Sequence, residues 1–438
     1  MTVEELLKEP TPKSLNPEIQ KLYENTVNKI GIDKVREVAG KIVDAIVSKD
    51  DDSEVPKDID VMIYCHNDLD GHTSGFFTKE LCHEVAYTLN SYIEIRLSTI
   101  NYGYSEDKLN YPMTEPVLDD ASDYSRDFDP SIVFVVDYSM SKYQQNSHMQ
   151  YFYDMMEAGK TVVWIDHHQS SLSLINETDE NELGYKFMRH PNLIHLFYTE
   201  IGVSAAMLCY MVYCAAVDDV NKRSDGVRKH SFFEYSLIYP SAFPMYVSLY
   251  DTFHPLSDRR FFSGMRLMHT EPDLYDFPED MSDLYSVPNC IWHVFETGKA
   301  IVQSDYMTNT MGLSSQGIEF SLDIDGEIYT VIAMNRCGNS FIFEKSYDDH
   351  DAVMTVWFDN HGKYRYSMYA RRNPDHQIPC NKVAEFLGGG GHVCAAGWQL
   401  DYNVLEDIYK HNVVKSNTPI PYTSLRRETF FEKNGLAI

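Results

Sequence analysis

The chain has 438 residues, 43% of them hydrophobic, with 37 Lys plus Arg against 66 Asp plus Glu, a formal charge of −29. That apolar content excludes wholesale disorder, and about 100–200 residues per domain gives two or three domains. The acidic balance excludes a protein that coats long nucleic acids with a basic face, and admits a small anion only where a local device such as bound metal ions reverses the field.

Residues 1–54 read as helical and polar and end in the acidic run Lys49-Asp50-Asp51-Asp52. The opening MTVEELLKEP has no basic n-region and no apolar h-region, so no signal peptide is expected. Three continuous apolar runs follow, Val61–Cys65, Ile132–Val136 and Thr161–Ile165. Runs of this length suit strands buried on both faces of a parallel sheet. Phe77, Leu81 and Val85 mark a helix after the first run, and Tyr151, Phe152, Met155 and Met156 mark another after the second, with Gly159 as its stop. Strand, helix, strand in this order is a βαβ unit.

The uncharged run Ile201–Val217 is short of the ~20 residues of a membrane span and reads as a buried helix. It carries Cys209 and Cys214; the chain has eight cysteines and no CxxC pair, which points to buried thiols in a reduced, cytoplasmic compartment. Residues 256–290 read as an irregular, acidic insertion, and Cys290–Met311 as a connecting helix with Ile291, Val294, Ile301 and Val302 on one stripe. Ile328–Met334, Ala352–Phe358 and Tyr364–Tyr369 read as strands of a second α/β domain. That segment closes with a helical Val383–Leu387, four glycines from Gly388 to Gly391, and His392. Consecutive glycines let backbone N–H groups approach an anion.

The strand ends carry the chemistry. Val61–Cys65 runs into His66-Asn67-Asp68-Leu69-Asp70-Gly71, Ile132–Val136 into Asp137-Tyr138-Ser139, and Thr161–Ile165 into Asp166-His167-His168. In open α/β sheets ligands bind beyond the carboxyl ends of the strands. Three strands therefore deliver Asp and His to one edge of one sheet. Carboxylates favour Mg or Mn, and imidazole tilts the set toward Mn, Fe or Zn. His66, Asp68 and Asp70 could serve two metals, with Asp137 bridging and His167 as a further nitrogen ligand. Two metals about 3.5–4 Å apart activate water and clamp a phosphoryl group.

The set HNDLDG, DYS, DHH and GGGGH, in this order over roughly residues 55–400, resembles the DHH phosphoesterase superfamily with its DHH-associated C-terminal domain. That superfamily includes RecJ exonucleases, nanoRNases, cyclic-dinucleotide phosphodiesterases and family II pyrophosphatases. The H-x-D-L-D-G first motif is most similar to the bacterial oligoribonuclease, or nanoRNase, branch. The resemblance implies metal ligands at His66, Asp68, Asp70, Asp137 and His167, and a further one at Asp251 within Leu249-Tyr250-Asp251-Thr252. It implies that His168 faces the substrate phosphate and that Asp166 supports its neighbours. In the C-terminal domain it implies substrate contacts from Arg371, Gly389, Gly390, Gly391 and His392; of the family's Ser-x-Arg-Ser stretch only Arg371 is matched in Tyr369-Ala370-Arg371-Arg372.

The expected layout is a helical extension at 1–54, a parallel-sheet catalytic domain at 55–255, the acidic insertion and linker helix at 256–315, a smaller α/β substrate-binding domain at 316–415, and a tail at 416–438. The expected function is hydrolysis of short oligonucleotides to mononucleotides with two divalent ions, Mn2+ foremost and Mg2+ second. No long duplex and no membrane are expected as partners, and a homo-oligomer is compatible with the sequence. Three rivals remain: a cyclic-dinucleotide phosphodiesterase or nucleotide phosphatase, a RecJ-like single-strand DNA exonuclease, and a non-catalytic nucleotide-sequestering protein.

Overall fold

The three continuous apolar runs form the centre of a five-stranded sheet in which every neighbouring pair is parallel. The computed structural model describes residues 3–8, 16–47, 59–89, 91–100, 128–140, 146–176, 179–180, 182–224, 231–233, 236, 241–252, 254, 256–270, 288–338, 340–343, 349–359, 362–370, 377–410 and 419–425. The chain divides into two units, one of Thr11–Gly298 and one of Met1–Pro10 with Lys299–Ile438. The second unit opens the chain with a short helix, α1 (Val3–Lys8), in which Leu6 packs with Val302.

In the larger unit the chain enters by α2 (Pro17–Ile30) and α3 (Ile32–Val47). Asn16 caps α2, its side chain accepting from Glu18 N at 2.9 Å, and Pro17 follows at the first helical position. Val35, Val38, Ala39, Ile42, Val43 and Ile46 make one buried face of α3, spaced at three and four residues. Then come β1 (Ile59–His66), α4 (Leu69–Thr88), β2 (Ile93–Ile100), β3 (Ile132–Val136), α5 (Asn146–Glu157) and β4 (Thr161–Asp166). α6 (Gln169–Ile175), α7 (Leu183–Met188), β5 (Leu193–Phe197), α8 (Ala205–Arg223), α9 (Ala242–Asp251) and α10 (Arg259–Thr270) complete it.

The strand order is β2-β1-β3-β4-β5. The chain crosses from β2 back over β1 to β3, so the winding reverses between β1 and β3, and ligand sites of doubly wound sheets form at this switch point. Two strands of this sheet, β2 and β5, went unpredicted. Both are edge strands: β2 keeps Glu94 and Arg96 half-exposed, and in β5 only Leu196 is buried, so neither shows a continuous apolar run.

The helices α2, α3, α4, α8 and α9 share one core with the sheet, including Tyr23, Val38, Ile63, Phe77, Leu208 and Tyr246. The expected buried helix at Ile201–Val217 begins only at Ala205, because Ile201 is 64% exposed and Gly202 has φ 96. The expected irregular insertion is corrected at its start: residues Arg259–Thr270 are helical, and Phe261 and Met265, four apart, are buried. The acidic part of that insertion, 271–287, and the run Lys49–Asp52 lie outside the described residues.

A 29-residue helix, α11 (Pro288–Gln316), begins in the larger unit and ends in the smaller one, where the connecting helix was expected. The smaller unit holds a seven-stranded mixed sheet of order β10-β11-β9-β8-β7-β6-β12. Its strands are β6 (Ile318–Ile324), β7 (Glu327–Met334), β8 (Ala352–Phe358), β9 (Tyr364–Ala370), β10 (Gly390–His392), β11 (Ala395–Leu400) and β12 (Ile420–Pro421). The helices α12 (Cys380–Phe386) and α13 (Val404–Lys410) cover it, with Leu322, Met354, Met368, Val383 and Trp398 in the core. The architecture is thus a parallel-sheet α/β unit followed by a smaller mixed α/β unit.

Candidate metal centre

The residues at the ends of β1, β3 and β4 meet, joined by the last residue of α9. His66 closes β1, and Asp68 caps α4: its Oδ1 accepts from Gly71 N at 2.8 Å and its Oδ2 lies 2.7 Å from His66 Nδ1. Gly71 packs so tightly against the end of β1 that a Cβ there would stand 2.1 Å from the His66 carbonyl oxygen. Only glycine lets the first turn of α4 seat at this point.

Asp70, in the first turn of α4, is 1% exposed. Its carboxylate accepts from Ser204 Oγ at 2.5 Å and from the backbone N–H groups of Ala205 and Ala206 at 3.0 and 2.9 Å. Asp70 thus caps the N-terminus of α8 from another helix, where the amides and the helix dipole favour negative charge.

Asp137 follows β3 with φ 55, a left-handed conformation that Asp tolerates better than most residues. Its N–H donates to Ile165 O at 3.0 Å, which fixes the turn against β4. Its two oxygens face different ways: Oδ2 is 3.9 Å from His66 Nδ1, and Oδ1 is 3.2 Å from His167 Nε2. The same His167 Nε2 lies 3.4 Å from Asp251 Oδ2 and 3.6 Å from Asp70 Oδ2. One buried imidazole nitrogen therefore stands among three carboxylates.

The atoms fall into two groups, each with its donors within 4.8 Å of one another: His66, Asp68 and Asp137, and Asp70, His167 and Asp251. Asp137 Oδ1 and Asp251 Oδ2 are buried and accept no hydrogen bond from any described residue. Buried anionic oxygens without donors are costly unless a cation meets them. Burial, reinforced by the charges of Asp70, Asp68, Asp251 and Asp166, pushes the Asp137 carboxyl well above the usual range. Burial and the charges of Asp70 and Asp68 raise Asp251 in the same direction. For Asp68 burial acts upward, but the hydrogen bond and charge of His66 hold it below the usual carboxylate range. The donor set, oxygen with imidazole nitrogen, fits two hard-to-borderline divalent ions.

Beside this cluster lies a second pair. Asp166 Oδ1 is 2.7 Å from His168 Nδ1, and Asp166 Oδ2 accepts from Ser171 Oγ at 2.5 Å. Burial alone would raise the Asp166 carboxyl, but the charges of His168 and His167 and these hydrogen bonds bring it down to about 2. The carboxylate engages His168 Nδ1 and so fixes the orientation of the ring. With its one proton given to Asp166, Ser171 Oγ can only accept from Ser139 Oγ, 3.2 Å away, and Ser139 also lies within hydrogen-bond reach of Ser170. Ser170, Ser171 and Ser204 were missed from the sequence, whereas Ser139 stood in the DYS run without an assigned role. Ser171 alone had a local signal, lying five residues after Asp166 in the first turn of the next helix.

Of the residues expected to touch substrate, Arg371 lies outside the described residues. Gly390, Gly391 and His392 form β10, paired antiparallel with β11. Gly389 N donates to Ala384 O at 2.8 Å, so this amide closes α12. A Cβ at Gly389 would stand 2.0 Å from Gly397 O, so the run serves close strand packing as well.

Together these features define an α/β protein with a carboxylate–histidine cluster, suited by its donor set to divalent cations, at the switch point of a parallel sheet. Residues 60–214 match the model of the DHH family, N-terminal domain. A domain of this family with this side-chain set supports a hydrolase acting on phosphoester bonds.

Among solved structures, the chain is similar to RecJ from Thermus thermophilus in complex with Mn2+, with 12% identity and a TM-score of 0.44, over 89% of this chain and 56% of that one. This chain thus spans about half the length of that RecJ chain. It is similar to an exopolyphosphatase-related protein from Bacteroides fragilis, with 12% identity and a TM-score of 0.42, over 87% of this chain and 96% of that one. It is also similar to a pGpG-specific phosphodiesterase from Vibrio cholerae, with 11% identity and a TM-score of 0.32, over 82% and 100%. No curated protein matches the sequence. No described helix is long and apolar enough to cross a membrane.

Proposed function

We propose that this protein is a phosphodiesterase that hydrolyses short oligonucleotides to mononucleotides with two divalent ions, Mn2+ foremost. The observation that carries the reading is the division of Asp137, one oxygen toward His66 and the other toward His167, at the meeting of two ligand groups. His66, Asp68 and Asp137 would hold one ion, and Asp137, His167, Asp70 and Asp251 the other. Bound there, the ions supply positive charge for the phosphoryl oxygens and lower the pKa of water.

The chain's own residues do the rest. His168, held through Nδ1 by Asp166, presents Nε2 as a hydrogen-bond donor to a phosphate oxygen as charge develops on it. Asp166 fixes the ring's orientation and tautomer, and Ser171 fixes Asp166. In the smaller unit Arg371, Gly390, Gly391 and His392 are the groups suited to an anionic nucleotide end. The formal charge of −29 favours a short anion over a long polymer, since a polymer needs a basic track.

The test is incubation with Mn2+ and labelled RNA of two to five residues, followed by separation of the products. Mononucleotide release that chelator abolishes is the expected result. Inert RNA with every divalent ion tried refutes the reading, and rapid loss of a cyclic dinucleotide with linear RNA untouched replaces the substrate.

A further inference from the structure

The segment between β5 and α8, residues Tyr198–Ser204, is hydrogen-bonded to two of the candidate ligands and to the residue that follows a third. Thr199 Oγ1 donates to the backbone oxygen of His167 at 2.7 Å. Gly202 N donates at 2.7 Å to Oγ1 of Thr252, the residue after Asp251. Ser204 Oγ donates to Asp70 Oδ1 and is shared with Ser248 Oγ at 2.8 Å. One seven-residue loop therefore sets the positions of His167, Asp251 and Asp70, which come from β4, α9 and α4 and have no sequence proximity.

The loop is itself held by the N-terminal helices. Gly202 has φ 96, and a Cβ there would stand 2.8 Å from Leu22 Cδ2 of α2 and 3.1 Å from His254. Leu22 thus packs directly onto the loop, opposite the segment that follows Asp251. Glu200, next to Thr199, pairs with Lys29 of α2 and accepts from Tyr198 OH at 2.7 Å. The ion pair is exposed and adds little by itself. The apolar contact carries the mechanical link.

We propose that Tyr198–Ser204 is a positioning loop for the metal centre and that the N-terminal extension, through Leu22, presses it into place and so tunes divalent-ion affinity. This rests on the reading of the cluster as a metal site, and not on the identity of the substrate. Groups that orient ligands in this way commonly change affinity by about 10–100-fold when removed.

The experiment uses the full chain and measures Mn2+ binding directly, by the electron paramagnetic resonance signal of free Mn2+, without substrate. Thr199→Val should weaken Mn2+ binding about tenfold, and Thr199→Ser should restore it. Leu22→Ala should weaken it in the same direction. Val27→Ala is the control, because Val27 is buried on the same helix but is not among the side chains nearest to Gly202, which are Leu22 and His254. It should lower thermal stability and leave Mn2+ affinity within about twofold, well short of the loss expected for a ligand-orienting group. Equal loss of affinity in Val27→Ala and Leu22→Ala, or unchanged affinity in Thr199→Val, overturns the proposal. Mn2+ binding without hydrolysis would remove the phosphodiesterase reading and leave these comparisons valid. A wild-type chain that binds no divalent ion removes both.

Discussion

Replacing Asp137 by Asn should make the metal-free protein more stable while abolishing its activity. Asp137 and Asp68 hold oxygens within 4.8 Å of each other. Two ionised groups at that distance repel by about 3 kcal/mol at an effective dielectric constant near 20. Since protonation of one acid limits the total, a single pair sets the scale. The amide is isosteric, removes the charge and keeps the left-handed turn, which Asn also tolerates. At roughly 2–4 °C per kcal/mol for a domain of this size class, the melting temperature in chelator should rise by roughly 6–12 °C. Mn2+ reverses the order, because an ion at one hundred times its dissociation constant stabilises the wild type by about 2.7 kcal/mol per site. The assay is paired thermal melts in chelator and in excess Mn2+, with the phosphodiesterase rate alongside. An Asp137→Asn protein no more stable than wild type in chelator, or one that gains as much from Mn2+, refutes the account of this cluster.

Gly71→Ala forces a methyl group toward a backbone oxygen 2.1 Å away; it should cost about 1–3 kcal/mol and weaken Mn2+ binding, and a silent substitution would show that α4 has room to shift. Ser171→Ala removes a donor from Asp166; kcat should fall about tenfold with KM little changed, and a pure KM effect would argue against orientation of His168. Burial lowers the His148 pKa below its ordinary value, and its Nδ1 is 2.8 Å from Tyr138 OH. Below about pH 6.5 the unfolded chain binds a proton that the folded chain resists, so this stability is complete above that pH and declines as the pH falls toward the lower folded value. His148→Gln should therefore melt closest to wild type near about pH 5.5 and furthest below it near about pH 7.5, and a constant gap would rule out the titration.

The parts of the molecule legible in the sequence were those where one residue type answers one local demand. β1, β3 and β4 read as strands because burial on both faces leaves no polar interruption. The meeting of His66, Asp68, Asp70, Asp137, His167 and Asp251 in one cluster was legible because strand ends in such sheets converge on one edge and because the ordered motifs resemble a family. The edge strands β2 and β5 mix polar and apolar residues, so periodicity could not separate them from loops. Thr199, Gly202 and Ser204 were invisible for a different reason. Their role exists only through contacts with Thr252, Asp70 and His167, 50, 134 and 32 residues away, and no spacing rule reaches that far.

Asp70 has an implication for metal choice. The same carboxylate that faces His167 also terminates α8 by receiving two of its amides and the Ser204 hydroxyl. A change to His or Cys at this position, the usual route to a softer ion, would strip a buried helix of its cap as it altered the coordination. The hard, oxygen-rich character of the centre is therefore tied to the folding of its own scaffold. On the proposed metal reading, drift toward a softer ion would have to begin at Asp68, Asp251 or His66, the more exposed members of the cluster, rather than at its buried heart.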